Sequence, residues 1–426
     1  MTHNPDDSKL ALTGGKPAVH QPMPPMYPGG MRIDDEEEQI VLEVLRAKRL
    51  FRYYGPYPGP SKVEEFEKAF TQFMGAQYGV AVTSGTAALI CGLQGIGVGP
   101  GDEVIVPAYT WIASASAVVA VGAVPVLAEV DDSLTLNPAD VEAKITPYTR
   151  AIMPVHMRGA PCNMDAIMSV ARKHNLNVIE DTAQADGASF KGRRLGSIGE
   201  VGCFSLQFNK IITSGEGGMV IMTDEDVYNR VLMYHDVVGG LRNNIPAEKI
   251  LPGINFRMPE LLGAVMLVQL KRLDLLLTTM RHNRQVLQES MQDLAKRKGV
   301  TFRLSHDPQG DAALALIFYT PDVPGAERVA QALEAEGVDA GVMYSPDRVD
   351  YHIYYHWAPI MNQRTWHSKA GPWRTHSRPI TYTLDMCPHT LNYLSRAIHI
   401  DVSPELTSQN LEEIADGLNN VLSQVL

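Results

Sequence analysis

LNVIEDTAQADGA, residues 176–188, runs from apolar residues into an acid and then into small residues. A strand predicted over 176–180 delivers Asp181 at its end, and an acid buried there is costly unless it has a task. Further on, VGCFSLQFNKIITSGEGG (201–218) has the same grammar: a strand over 201–206, then Lys210, then a run of small residues. Working outward, short apolar runs at 79–83, 103–106, 124–128, 150–155 and 218–222 read as strands. Helical stretches separate several of them, among them 61–75, 86–96 and 163–174; Ser61 and Glu64 have the spacing of a capping box. Continuous apolar strands alternating with helices predict an α/β fold with a mostly parallel, seven-stranded sheet covered on both faces. In such sheets ligands gather at the carboxyl ends of the strands.

The chain has 426 residues, which suggests two or three domains. Hydrophobic residues make up 45% and charged residues 20%, a globular balance. A net charge of −11 argues against nucleic acid or an anionic membrane as the main partner. The four cysteines show no paired or ligand-like spacing, so neither a disulfide framework nor a metal site is expected. Residues 104–128 carry no charge and are long enough to span a bilayer. Pro107 and Pro125 interrupt them, and the reading is strand, buried helix, strand. Asp6, Asp7 and Lys9 occupy the place where an export signal needs apolar residues, so a soluble, cytoplasmic protein is expected.

Residues 1–30 hold six prolines and read as an irregular arm, suited to packing on a neighbour. A large domain is expected over 31–257, a linking helical region over 258–294 and a smaller α/β domain over 295–426. In the last, strands near 300–304 and 313–319 and helices at 325–336 and 408–425 are predicted.

The strand ends hold the chemistry. After 79–83 come Ser84, Gly85 and Thr86, where free N–H groups at a helix start can cup a phosphate; the same residues also make an ordinary N-cap. After 103–106 comes Trp111, a face for a flat ligand or a packing residue. Asp181 is a functional acid or a cap, and Lys210 a surface charge or a Schiff-base lysine. Each is ambiguous alone. In order on one sheet, they meet the needs of pyridoxal 5′-phosphate: an amine for its aldehyde, an acid for its ring nitrogen, a stacking face and a phosphate cup.

TSGTAAL (83–89), GDEVIVPAYTWIASASAV (101–118), IEDTAQADGA (179–188), FSLQFNKIITSGEGG (204–218) and GINFRM (253–258) together resemble the DegT/DnrJ/EryC1/StrS family of sugar and cyclitol aminotransferases. The resemblance implies the aspartate-aminotransferase-like fold (PLP fold type I), with 31–257 as the cofactor-binding domain. It implies that Lys210 binds the cofactor covalently and then moves the proton, that Asp181 pairs with the ring nitrogen and that Trp111 stacks on the ring. Gln184 is implied at the ring hydroxyl, and Gly85, Thr86 and Ser205 at the phosphate. Asn255 resembles an asparagine that reaches the phosphate from the neighbouring subunit, which implies a homodimer with shared active sites. The implied partners are glutamate or glutamine as amino donor and a keto or aldehydo sugar, sugar acid or cyclitol as acceptor.

In PVHMRGAPCNMD (154–165), Met157 and Arg158 stand where the family more often has Leu and an aromatic. This His-Met-x-Gly form is similar to the aminotransferases that make 8-amino-3,8-dideoxy-octulosonate, whereas GGKP (14–17) resembles the aminocyclitol and aminohydroxybenzoate branches. Arg158 or Arg257 offers a fork for a substrate carboxylate, and either is equally an ion-pair member. His352 and His356 have metal-chelating spacing if helical, but the aromatic residues around them favour a packed segment bordering the substrate pocket. His367, Trp373, His376 and Arg378 stay open between packing and function. A dehydratase or aromatising enzyme on the same fold is the alternative reaction; a non-catalytic regulator is the alternative of another class. The complete set Lys210, Asp181, Trp111 and Gln184 stands against the latter.

Overall fold

A computed structural model describes residues 9–26, 32–53, 61–366 and 370–426; His367 lies outside the described residues. The central sheet is built from β1 (Tyr78–Val82), β2 (Glu103–Pro107), β3 (Val124–Ala128), β4 (Thr149–Ile152) and β5 (Asn177–Asp181). After a small hairpin, β6 (Ser189–Phe190) and β7 (Arg193–Arg194), the chain completes the sheet with β8 (Val201–Ser205) and β9 (Gly218–Met222). The seven strands lie in the order β1-β9-β8-β5-β4-β2-β3. All run parallel except β9, which is antiparallel to both neighbours. The exception has a local cause. No helix intervenes between β8 and β9, only the loop that carries Lys210, and a short loop can return the chain only antiparallel.

Both faces of the sheet are covered. On one side Val80, Leu89, Cys91, Val104 and Val118 pack together; on the other Phe66, Phe70, Ile105, Ile167 and Leu273 do so. The uncharged stretch 104–128 resolves as β2, the helix Ala113–Ala120 and β3, as its prolines suggested. No helix among the described residues is long and apolar enough to cross a membrane.

Ser61 does cap the helix Lys62–Met74, its Oγ accepting from the Glu64 N–H at 3.1 Å. The expected reciprocal bond is missing. Glu64 pairs instead with Lys68 at 2.9 Å, and Ser61 Oγ donates to the buried Glu260. Long-range burial has displaced the local box.

Glu260 opens one helix, Glu260–Arg297, of 38 residues, about 57 Å at 1.5 Å per residue. Its first half packs under the central sheet, and Leu287, Met291 and Ala295 join a separate apolar cluster. That cluster lies against a four-stranded antiparallel sheet, β10 (Thr301–Phe302), β11 (Ala315–Tyr319), β12 (Ala340–Val342) and β13 (Ala397–Asp401), in the order β10-β11-β13-β12. The helices Val323–Ala335 and Ser408–Val425 cover it. The described part of the N-terminal arm packs on its own chain. Leu10 and Val19 are buried in this cluster, and Glu336 accepts from the N–H groups of Ala11 (2.8 Å) and Ala18 (2.9 Å).

Candidate active site

The site forms where β1, β2, β5 and β8 end. Asp181 terminates β5 and is 4% exposed. Its Oδ2 accepts from Ser114 Oγ at 2.7 Å, and its Oδ1 from the Ala183 N–H at 3.2 Å. Ser114 Oγ is also 2.8 Å from Thr110 Oγ1, so a relay of two hydroxyls holds the acid. Burial pushes the Asp181 carboxyl above its ordinary range, against the pull of these bonds and of Lys210. Such an acid is stabilised when a cation comes opposite it.

Lys210 sits in the β8–β9 loop, fastened by bonds from Leu206 N to Gly217 O (2.9 Å) and from Phe208 N to Gly215 O (3.0 Å). Burial lowers its pKa, opposed by Asp186 and Asp181. A lysine so placed sheds its proton more readily and can act as nucleophile or base.

Gly85 begins the helix Gly85–Gly95, and Ser84 caps it by accepting from the Ala87 N–H at 3.0 Å. A Cβ on Gly85 would lie 2.6 Å from Ser205 Cβ, and one on Gly218 2.3 Å from Ser84 O. The two strand ends thus meet at glycine contact distance, and Ser205 Oγ is drawn up to the helix start. The N–H groups of Gly85 and Thr86 have no carbonyl partner within the helix. Thr86 is exposed beside them. This cup and its donors fit a phosphate group, and the buried Asp181 fits a ring N–H.

Trp111 is 46% exposed, with His352 against it (centroids 4.9 Å apart) and Tyr351 edge-on at 6.3 Å. The backbone explains the pairing: Thr110 N donates to His352 O at 2.8 Å and Ile112 N to Tyr351 O at 2.9 Å. Gln184 Oε1 accepts from the Arg158 N–H at 3.0 Å. Asn255 is exposed on a strip that runs along the end of β1, where Arg257 bridges Val82. Its Oδ1 accepts from the Arg257 N–H at 3.2 Å. Asp181, Lys210, Gly85 and Ser205 therefore stand at one end of the sheet, with Trp111 and Gln184 on the same side of the strand ends.

The segment 351–357 is a packed aromatic one, with Tyr354 and Trp357 fully buried. His352 pairs with Asp350 at 2.8 Å, and among the described residues no group of His, Cys, Asp and Glu could hold a metal ion. Arg378 and His376 surround the buried Glu103, at 2.5 and 3.4 Å, and Trp373 Nε1 donates to Tyr382 Oη at 2.9 Å. These have packing and pairing roles.

Sequence reasoning missed several groups. Ser114 and Thr110 lie within the motif 101–118, but nothing local says that Ser114 faces an acid 67 positions away. Glu180 is fully buried and accepts from the N–H groups of Gly196, Ile198 and Gly199 (2.8, 2.7 and 2.7 Å) and from His156 Nε2 (3.1 Å). The Cys162 N–H donates to His156 Nδ1, which assigns the ring proton to Nε2. Asp186 is fully buried with both oxygens unpartnered, and burial drives its carboxyl well above the ordinary range.

An open acid and a buried lysine beside a phosphate-sized cup define a cofactor site of the pyridoxal-phosphate type, and comparison with known proteins agrees. The chain belongs to the DegT/DnrJ/EryC1/StrS aminotransferase family, whose model matches residues 31–419. It is thus one of the pyridoxal-phosphate-dependent aminotransferases of fold type I. It is 38% identical over 359 residues to the L-glutamine:2-deoxy-scyllo-inosose aminotransferase of Streptomyces kanamyceticus, covering 80% of this chain and 81% of that protein. It is 43% identical over 244 residues to the GDP-perosamine synthase of Caulobacter vibrioides, covering 57% of this chain and 64% of that protein. Among solved structures, the aminotransferase from Psychrobacter cryohalolentis superposes with a TM-score of 0.80 at 27% identity, covering 95% of this chain and all of that one.

Proposed function

We propose that this protein transfers an amino group from glutamate or glutamine to the carbonyl of a keto or aldehydo sugar, sugar acid or cyclitol, with pyridoxal 5′-phosphate held covalently on Lys210. The observation that carries the reading is the meeting of Asp181 and Lys210, distant in sequence, at one end of the sheet beside the cup of Gly85 and Ser205. The inosose aminotransferase and perosamine synthase relatives support the acceptor class.

When bound, the pyridine ring supplies the sink for the electron pair left at the donor's Cα. Asp181 keeps the ring nitrogen protonated, its carboxylate held by Ser114 Oγ and the Ala183 N–H. Trp111 offers its open face to the ring and Gln184 an amide to the ring hydroxyl. Gly85, Thr86 and Ser205 bind the phosphate. Lys210 Nζ takes the proton from the donor's Cα and returns it one atom away; burial holds this amine ready to be neutral. The second half-reaction uses the same groups in reverse on the acceptor, which makes the kinetics ping-pong.

The reading extends to assembly and place. Asn255 serves the phosphate of a second copy, in a homodimer with shared active sites, and its exposure supports an intermolecular role. The protein works in the cytoplasm. The division into arm (1–30), cofactor domain (31–257), linking helix (258–294) and small domain (295–426) is supported by the separate apolar cluster on the second sheet.

The test is the visible absorption of purified protein loaded with pyridoxal phosphate, before and after L-glutamate or L-glutamine. The wild type should show the band of the lysine-linked cofactor and lose it to one donor. Lys210→Ala should lack that band and lose about 10⁴-fold in turnover. A wild type that binds no cofactor under any condition sinks the proposal.

A further inference from the structure

Several arginines buried in this protein are held by acids, and one stands apart from them. Arg52 grips Glu67 at 2.5 Å, Arg303 lies 3.5 Å from Asp311, and Arg257 pairs with Asp236 at 2.5 Å. The last contact settles one of the two sequence candidates for a carboxylate fork: Arg257 is a structural partner of Asp236. Arg158 is different. No carboxylate ion-pairs with it among the described residues, and its Nε is buried without a hydrogen-bond partner. The nearby Tyr109 Oη is buried and unpartnered as well.

The acids around Arg158 are engaged elsewhere. Asp350 Oδ1 lies 2.8 Å from His352 Nδ1, and Asp401 Oδ1 lies 3.3 Å from His399 Nε2. Arg158, Arg348, Asp350, His399 and Asp401 line a cavity of about 380 Å³ between the ends of the large sheet and the edge of the small one. The size is that of a pocket for a small organic molecule.

The backbone at Arg158 points the same way. Its φ of 52° is in the left-handed region, where glycine sits without strain and a long side chain does not. Strain of this kind persists where the surroundings impose it and clusters at functional sites. Here one restraint is the Gln184 side chain, which accepts from the Arg158 N–H at 3.0 Å and so couples the arginine to a residue of the cofactor site. Arg158 is also within electrostatic reach of Lys210 and His352.

We propose that Arg158 binds the α-carboxylate of the amino donor. The inference rests on the aminotransferase reading, and the chemistry of that reading selects this ligand. The donor's carboxylate is bonded to the Cα whose proton Lys210 must remove, so the cation that recognises it has to lie close to Lys210. A carboxylate on the acceptor has no such obligation to sit next to the reacting carbon. The guanidinium supplies a planar fork that accepts a carboxylate through two hydrogen bonds.

Because Arg158 has no acid to leave behind, Arg158→Gln should fold, with a melting temperature close to the wild type. Titration calorimetry with glutaramate, which is glutamine without its amino group, reads the carboxylate site without turnover. Its Kd should rise about 10- to 100-fold in Arg158→Gln and less in Arg158→Lys. In the donor half-reaction the wild type should favour L-glutamine strongly over 4-aminobutanamide, which lacks the carboxylate. The variant should lose that preference while the acceptor KM stays put. If L-glutamate is the donor, glutarate and 4-aminobutanoate are the matched probes. Unchanged probe binding with a raised acceptor KM would overturn the proposal and give Arg158 to the acceptor. No change in either would make Arg158 structural and overturn it as well. Loss of the cofactor band in the wild type is a separate failure, that of the aminotransferase reading itself.

Discussion

Glu180 and Asp181 are neighbours on β5, yet the sheet sends them to opposite faces, and the two regions treat them differently. On one face Glu180 is enclosed by the 196–199 loop and His156, with four hydrogen bonds to a side chain that never meets solvent. On the other, Asp181 has one hydroxyl, one N–H and a buried lysine in its field, with its pKa pushed up by burial. A buried acid saturated by the protein serves the fold. One that the protein leaves under-compensated awaits a charge from outside.

The comparison breaks most visibly by cutting Glu180. Glu180→Ala strands three N–H groups and His156 in a dry site, so a loss of about 3–5 kcal/mol of stability is expected in denaturant titration. Should Glu180→Ala unfold at the wild-type midpoint, the structural assignment of that face fails. Asp181→Asn tests the other face. Turnover should fall about 10²–10³-fold, with the melting temperature of the cofactor-free protein unchanged or higher, since a buried ionisable group has been made neutral.

Asp186 sharpens the contrast with a smaller effect. It lies on the Lys210 side with no hydrogen bond at all, and its folded-state pKa is raised well above the ordinary value. A raised acid favours the folded state while it is protonated, and that advantage fades as pH climbs from about 4 towards the folded pKa. Asp186→Asn should therefore match the wild type most closely near pH 4 and become the more stable of the two towards pH 7. Thermal unfolding of cofactor-free protein across that range decides it; parallel curves would mean that Asp186 has found a partner in solution.

Much of the large domain is legible in the chain's own local patterns. Apolar runs such as 201–206 and 218–222 mark strands because a strand buried on both faces tolerates little else, and the junction at Ser84–Thr86 is local chemistry. The second sheet is less legible. β12 and β13 carry too little local signal, since Ala340–Val342 is only three residues long and Ala397–Asp401 follows directly on a helix. The capping box at Ser61 fails for a related reason, because Glu260, nearly two hundred positions away, claims the serine.

The sequence by itself determined the type of sheet, the order of acid and lysine along its strand ends and the family to which the chain belongs. These follow from periodicity and from residues in short motifs. Only the tertiary structure decided which charged groups are spoken for. It placed Asp236 against Arg257 and left Arg158 unpaired; it gave Glu180 four partners and Asp186 none. Pairing depends on which side chains are brought within about 4 Å of one another inside a poorly polarisable interior, and no local window of sequence carries that information.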